Sequence, residues 1–140
     1  MNVHYAHICE KAFLSQNGNL NLIGIFENIA SQQFPITFPQ VAIVTSLEGE
    51  VGEHTQQITV INEDTGEEVI KPIAININVA AKEGQTPDQK PGNLRILGDI
   101  NNLTLPVAGK YLVQISIDGE MKYTIPFKAL LATKPIPEGR

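Results

Sequence analysis

Three residues near the start of the chain have side chains of the types that bind metal ions or act as nucleophiles. They are His4, His7 and Cys9. On an extended strand His7 and Cys9 would share one face, whereas His4 and His7 would point to opposite faces. A zinc site needs about four ligands, and His54 is the one other histidine. The spacing therefore predicts a buried cysteine beside strand histidines, and His7, Cys9 and His54 are weak candidates for a metal site.

A cysteine–histidine pair is the nucleophilic alternative, with Cys9 activated by His7 or His54. The strand pairing predicted below places Cys9 opposite Phe26 on an apolar face, where burial raises the pKa of a thiol. The sequence contains no Gly-x-Ser-x-Gly elbow of a serine hydrolase. We therefore predict no catalytic residue and a protein that is not an enzyme, with a small hydrolase as the alternative.

Acidic residues form two clusters in segments that we predict to be loops. The clusters are Glu48, Glu50 and Glu53, and Glu63, Asp64, Glu67 and Glu68. Calcium prefers several oxygen ligands, but these clusters lack an Asp-x-Asp spacing. Their spacing also selects no carboxylate pair for glycoside hydrolysis. We expect solvated charge and no cofactor, with a cation-binding β-sandwich domain as an alternative.

Composition limits the class of protein. The 140 residues are 42% hydrophobic and 18% charged, which excludes global disorder. A net charge of −5 and the lack of a Gly-rich phosphate loop argue against nucleic-acid binding. A single cysteine excludes an intramolecular disulfide. With no signal-peptide pattern and no apolar run of about 20 residues, we predict a cytoplasmic protein without membrane contact.

Short runs of alternating apolar and polar residues follow one another along the chain. Nine prolines and 11 glycines are spread among them, which leaves few windows for a helix. This pattern predicts an all-β fold, an antiparallel β-sandwich that is immunoglobulin-like or similar, with about seven to nine strands. We predict one sandwich domain over residues 1–132 and a flexible C-terminal tail over residues 133–140. Residues 82–93 are predicted to form a mobile surface loop.

The dipeptide Asn17-Gly18 between two apolar segments predicts an N-terminal hairpin, because both residues tolerate a positive φ. A two-residue turn would pair Phe13 with Leu22 and Cys9 with Phe26. Apolar side chains would then meet on one face of the hairpin.

A second hairpin is predicted around Asp118-Gly119. A two-residue turn would pair Ile115 with Lys122 and place a polar group against the core face. A three-residue loop, Asp118 to Glu120, would instead pair Ile115 with Tyr123. We therefore predict a three-residue loop or a β-bulge at this hairpin.

The segment from Ser31 to Pro39 is predicted to be a linker, because each of its prolines holds the preceding residue extended. Phe34, Pro35, Phe38 and Pro39 within it are candidates for partner contact, together with edge strands near the termini. Sheet edges must be covered or used. The predicted function is therefore a non-enzymatic binding or assembly module that acts through protein contacts, with a partner protein or with a second copy in a homodimer.

Two blocks of sequence resemble a known family. The first comprises Asn2-Val3, Tyr5-Ala6, Gly18, Leu20 to Glu27, and Ile29; the second comprises Leu105-Pro106, Gly109, Tyr111 and Asp118-Gly119. Together they are similar to an uncharacterised family of small bacterial proteins, a domain of unknown function. The second block is also similar to the last hairpin of immunoglobulin-like modules. The resemblance implies one bacterial domain, and it carries no activity, cofactor or catalytic residue.

Overall fold

The computed structural model describes residues 1–80 and 93–133. This part of the chain contains nine strands and no helix. The strands are β1 (Asn2–Leu14), β2 (Leu20–Ile25), β3 (Asn28–Ser31), β4 (Ile36–Glu48), β5 (Gly52–Asn62), β6 (Ile73–Val79), β7 (Asn93–Leu105), β8 (Gly109–Ile117) and β9 (Glu120–Leu131). The predictions for the loop at 82–93 and the tail at 133–140 lie outside the described residues, except at Asn93 and Thr133.

The nine strands form two sheets. The four-stranded sheet has the order β2-β1-β4-β7, and the five-stranded sheet has the order β3-β9-β8-β5-β6. All neighbouring strands are antiparallel except β3 and β9, which are parallel. The prediction of an all-β fold with up to nine strands is therefore confirmed, whereas an immunoglobulin-like sandwich stays a prediction. Among the described residues there is no helix long and apolar enough to cross a membrane.

Both sheets contribute to one apolar core because alternate residues of a strand point to the same side. Val41 and Ile43 of β4 lie in the same buried cluster as Val113 and Ile115 of β8. The ring of Tyr111 in β8 stacks on Phe127 with centroids 5.5 Å apart. Its burial is complete, and its hydroxyl donates a hydrogen bond of 2.6 Å to the Val107 carbonyl oxygen.

The N-terminal hairpin is present, but the predicted register is wrong by one residue. Cys9 lies opposite Ile25, and Phe13 lies opposite Asn21. The loop has three residues rather than two, since the amide of Gly18 donates to the Ser15 carbonyl oxygen at 2.9 Å and Gly18 has a φ of 79°. A type I turn followed by a residue in the left-handed region is the usual three-residue hairpin loop. The dipeptide therefore signals a hairpin without setting its register.

The hairpin between β8 and β9 contains both a two-residue turn and a β-bulge. Asp118 and Gly119 have φ values of 52° and 83° and form a two-residue turn, so the predicted three-residue loop is wrong. The register then shifts between Ile115 and Ser116, which confirms the predicted bulge. The shift places Ile115 opposite Tyr123, as predicted. The Asp-Gly dipeptide thus keeps its preferred two-residue turn, and Ile115 still lies opposite an aromatic residue rather than Lys122.

The predicted linker from Ser31 to Pro39 is shorter in the structure, because β4 begins at Ile36. Pro39 therefore lies within a strand, although it has no amide to donate. The Cα pairing of β4 with β7 omits Pro39, and the opposite residue, Asn102, has a φ of 55°. This local irregularity accommodates the proline inside β4.

Candidate functional site

The structure separates His54 from the other two candidates for a metal or nucleophile site, His7 and Cys9. His7 and Cys9 lie in β1 of the four-stranded sheet, opposite Val44 and Ala42 of β4. His54 lies in β5 of the other sheet. Within residues 1–80 and 93–133, no three His, Cys, Asp or Glu side chains come together in a group that could hold a metal ion.

Cys9 is a buried thiol. Its side chain is inaccessible to solvent, and its Sγ donates to the Lys11 carbonyl oxygen at 3.3 Å. Burial raises the pKa of the Cys9 thiol, which disfavours the nucleophilic thiolate. The nearby ring of His7 packs instead against Tyr5, with centroids 5.7 Å apart. These contacts describe a packed strand face.

His54 joins two separate loops through the two nitrogens of its ring. Nδ1 lies 2.6 Å from Oδ2 of Asp118, and Nε2 lies 2.9 Å from the backbone carbonyl oxygen of Glu50. The other carboxylate oxygen of Asp118 accepts the amide of Thr55 at 2.9 Å. The hydrogen bond to Asp118 raises the pKa of His54, and the same bond lowers the pKa of Asp118.

A polar pocket of about 420 Å³ lies beside His54. Its lining consists of Glu53, His54, Thr55, Asn76, Ile77 and Asn78. Both ring nitrogens of His54 are already occupied, so the ring has no free nitrogen to accept a proton from a nucleophile. The Thr55 hydroxyl donates to the Asn76 side-chain oxygen at 3.4 Å. The pocket thus has no aligned pair of nucleophile and base among the residues that line it.

The local sequence does not indicate that Asp118 is a partner of His54, because the two residues are separated by 64 positions. The Asp-Gly dipeptide signals a turn, and nothing in its local sequence indicates which strand lies beside it. The pairing of β5 with β8 brings the two residues together, with Gln56 opposite Ile117.

The four predicted contact residues divide into anchored phenylalanines and exposed prolines. Phe34 and Phe38 are half-buried and pack against the core cluster. The ring of Phe38 lies 5.1 Å from that of Phe26. Pro35 and Pro39 are exposed, and the Phe34–Pro35 peptide bond is cis. The aromatic side chains thus hold the segment on the core and leave mainly the prolines at the surface.

Among the described residues, four of the exposed large apolar side chains lie on the hairpin of β1 and β2. Phe13, Leu14, Ile23 and Ile25 have 39%, 50%, 51% and 46% of their surface exposed. We refer to these four residues as the hairpin surface. Strand β4 accompanies β1 only as far as Cys9, so among the described strands the outer part of the hairpin pairs only with itself. At its tip, the Gly18 carbonyl oxygen accepts a hydrogen bond of 3.0 Å from Arg95 of β7. Exposed apolar side chains that lie together mark contact sites. As consecutive strand residues, Phe13 and Leu14 point to opposite faces of the hairpin.

Strand β2 also forms an open edge of the four-stranded sheet. Its sequence, Leu20–Ile25, contains no charge and no proline, the residues that usually protect an edge from pairing. The opposite edge strand, β7, carries Arg95 and Asp99. In the other sheet the edge strand β3 has only four residues. Strand β2 is therefore less protected than these two edges, whereas the remaining edge strand, β6, also has no charge and no proline.

The sequence comparisons assign the chain to a family. The family model described as "Family of unknown function (DUF6941)" matches residues 4–130. The chain belongs to this family. This match confirms the resemblance of the two sequence blocks to a family of unknown function. No curated protein matches this DUF6941 member.

Among solved structures, this DUF6941 member is similar to the Pseudomonas fluorescens alkylpurine DNA glycosylase AlkC bound to DNA containing an abasic site analog. The match has a TM-score of 0.47 and 11% sequence identity. It covers 89% of this chain and 30% of the glycosylase chain. This DUF6941 member therefore spans less than a third of the length of that protein, and the similarity is too low to assign a function.

Proposed function

We propose that this chain is a non-enzymatic assembly module whose β2 edge pairs with the β2 edge of a second copy. The observation that carries the proposal is the hairpin surface, where Phe13, Leu14, Ile23 and Ile25 are all substantially exposed. Burying such side chains in a contact removes apolar area from water, worth roughly 25 cal/mol per Å² before the costs of association. Strand β2 adds an edge without charge or proline beside them, interrupted at Gly24, which has a φ of 69°.

A second copy is the occupant that suits this edge. In a two-fold dimer each residue near the axis meets its own counterpart, so a charge there would face an identical charge. Leu20–Ile25 has no charged residue of its own, so its side chains create no like-charge contact across the axis. The carboxylate of Glu10 in β1 lies against Gly24 of this strand. The backbone groups of β2 that point away from β1 would gain partners in the second copy.

The predicted contact residues on the β3–β4 side have a smaller part in this proposal. Phe34, Pro35, Phe38 and Pro39 remain candidates for contact with a partner protein. Because both phenylalanines pack on the core, they offer less free apolar surface than the hairpin does. We therefore assign the main contact to the hairpin surface, with no nucleic acid or membrane as partner.

The predicted bacterial and cytoplasmic location belongs to the same proposal. The free thiol of Cys9 is buried, and a reducing compartment would keep the lone cysteine in this form. No disulfide is needed for the proposed contact, which rests on backbone pairing and apolar side chains.

Sedimentation equilibrium over a wide range of protein concentration tests the proposal. The native chain is expected to form dimers, and Ile23→Lys is expected to remain monomeric because it places two ammonium groups near the two-fold axis. Val107→Lys is the matched control, since Val107 and Ile23 are both 51% exposed. The control is expected to dimerise like the native chain. A native chain that stays monomeric, or two variants that behave alike, would contradict self-pairing through β2.

A further inference from the structure

The two hydrogen bonds of the His54 ring determine its protonation. The carboxylate of Asp118 and the carbonyl oxygen of Glu50 can only accept hydrogen bonds. They lie 2.6 Å and 2.9 Å from Nδ1 and Nε2. Each ring nitrogen must therefore carry a hydrogen for both bonds to exist, and only the imidazolium has two N–H groups. The arrangement thus requires a positively charged ring.

The two hydrogen-bond partners of the His54 ring, Asp118 and the Glu50 carbonyl, differ in how many further hydrogen bonds hold them in place. On one side Asp118 is also bound to Thr55 through two hydrogen bonds of 2.9 Å, one from the Thr55 amide and one from its own amide. On the other side the Glu50 carbonyl belongs to residues 49–51, the connection between β4 and β5. Loss of one ring proton would leave Nδ1–H on the charge-assisted bond to Asp118. The lone pair of Nε2 would then face the carbonyl oxygen of Glu50, and that contact would be repulsive.

The connection at 49–51 covers an apolar end of the core. Gly49 lies against Met1 so closely that a Cβ at this position would be 2.9 Å from the Met1 Cα. Met1 in turn packs on a separate buried cluster. The cluster consists of Leu47, Ile77, Val79 and Ile117. A movement of the connection would therefore change the cover over this end of the core.

We propose that His54 is a proton-dependent latch, which holds the 49–51 connection closed over this apolar end as an imidazolium and releases it when the ring becomes neutral. The proposal goes beyond self-assembly and does not depend on it. The hairpin surface lies on the other sheet, and Glu50 is not part of it.

Charged groups from three elements of the described part of the chain lie near the ring or act on it. Asp118 faces it from the β8–β9 turn, Glu53 shares its pocket from β5, and the α-amino group of Met1 acts on it from the start of the chain. Strand β6 contributes only neutral residues, Asn76, Ile77 and Asn78. The carboxylate of Asp118 favours the imidazolium, whereas the α-amino group opposes it.

Hydrogen exchange of the full chain between about pH 5 and pH 9, a range that brackets the ordinary histidine pKa, tests the latch. After correction for the intrinsic pH dependence of exchange, protection of the amides at 49–52 is expected to fall about three- to tenfold as pH rises. In His54→Gln this pH-dependent fall in protection, the step, is expected to disappear. A step of the same size in His54→Gln would assign it to another group and would overturn the proposal.

Nitrogen-detected spectra of the histidine ring give a second readout on the unmodified chain. Both ring nitrogens are expected to be protonated at the acidic end of the range, with the proton retained on Nδ1 at the basic end. In Asp118→Asn the step is expected to move to lower pH, because the carboxylate that favours the imidazolium is gone. A ring that is neutral throughout, or a neutral ring protonated on Nε2, would overturn the latch.

Discussion

Gln56 and Thr45 join the two sheets inside the core. The Gln56 Nε2 donates a hydrogen bond of 2.9 Å to the Thr45 hydroxyl, and the two residues are 0% and 1% exposed. Among the described residues the other amide atom, Oε1 of Gln56, has no hydrogen-bond partner. This buried polar pair connects β4 to β5 across the core. The contribution of each residue to stability therefore depends on the presence of the other.

A double-mutant cycle tests this dependence. Thr45→Val leaves the Gln56 amide buried without its acceptor and is expected to lower the free energy of unfolding by about 1–3 kcal/mol. Adding Gln56→Leu removes the unsatisfied group, so the double variant is expected to be more stable than the sum of the single changes predicts. Urea unfolding measures all four proteins. Strictly additive effects would show that the pair is not coupled.

The stability of the protein is expected to depend on pH through His54 and Asp118. The pKa of His54 is raised above 6.5, so its contribution is complete below that value and is lost as pH rises through the raised pKa. The pKa of Asp118 is lowered below 3.8, so its contribution is present above that value and is lost as pH falls through the lowered pKa. The pair therefore stabilises the fold most between these two ordinary values.

Urea unfolding at a series of pH values measures this contribution. The difference in free energy of unfolding between the native chain and His54→Gln is expected to be largest near pH 6 and to shrink toward about pH 9. A difference that stays constant, or that grows as pH rises, would show that the bond between His54 and Asp118 is not linked to protonation in this way.

Tyr111 provides a separate test of the core. Tyr111→Phe removes the hydrogen bond to the Val107 carbonyl oxygen but keeps the stacking on Phe127. The expected loss is about 1 kcal/mol in the free energy of unfolding. This loss is expected to be small for a deleted hydrogen bond, because Val107 is 51% exposed and water can replace the tyrosine hydroxyl at its carbonyl oxygen. Thermal or urea unfolding measures it, and a loss as large as that of a core truncation would contradict this assignment.

The fold class follows from local sequence, whereas strand register does not. Large apolar residues alternate with small or polar ones along Ile73–Val79, and this segment forms strand β6. In contrast, the turn after Ser15 has three residues instead of two, and this difference shifts every partner in the hairpin. Turn type depends on the backbone conformation of Gly18, and the dipeptide Asn17-Gly18 is compatible with more than one loop.

The local sequence predicts neither the His54–Asp118 contact nor the hairpin surface. The contact of His54 with Asp118 depends on which strand lies beside β5, a choice that local periodicity does not encode. The hairpin surface is apolar on both faces of β1, at Phe13 and Leu14. The alternation rule assigns one such face to the core, and the local sequence does not show that β4 leaves β1 at Cys9 or that Arg95 of β7 reaches the Gly18 carbonyl oxygen at the tip of the hairpin.

Hydrogen exchange of β2 at increasing protein concentration tests the central claim most directly. The amides of Leu20–Ile25 that point away from β1 are expected to become more protected as concentration rises, because they pair with the second copy. The edge strands β3, β6 and β7 are expected to exchange at the same rates throughout. Exchange in β2 that is independent of concentration, or protection that develops at another edge, would contradict assembly through β2.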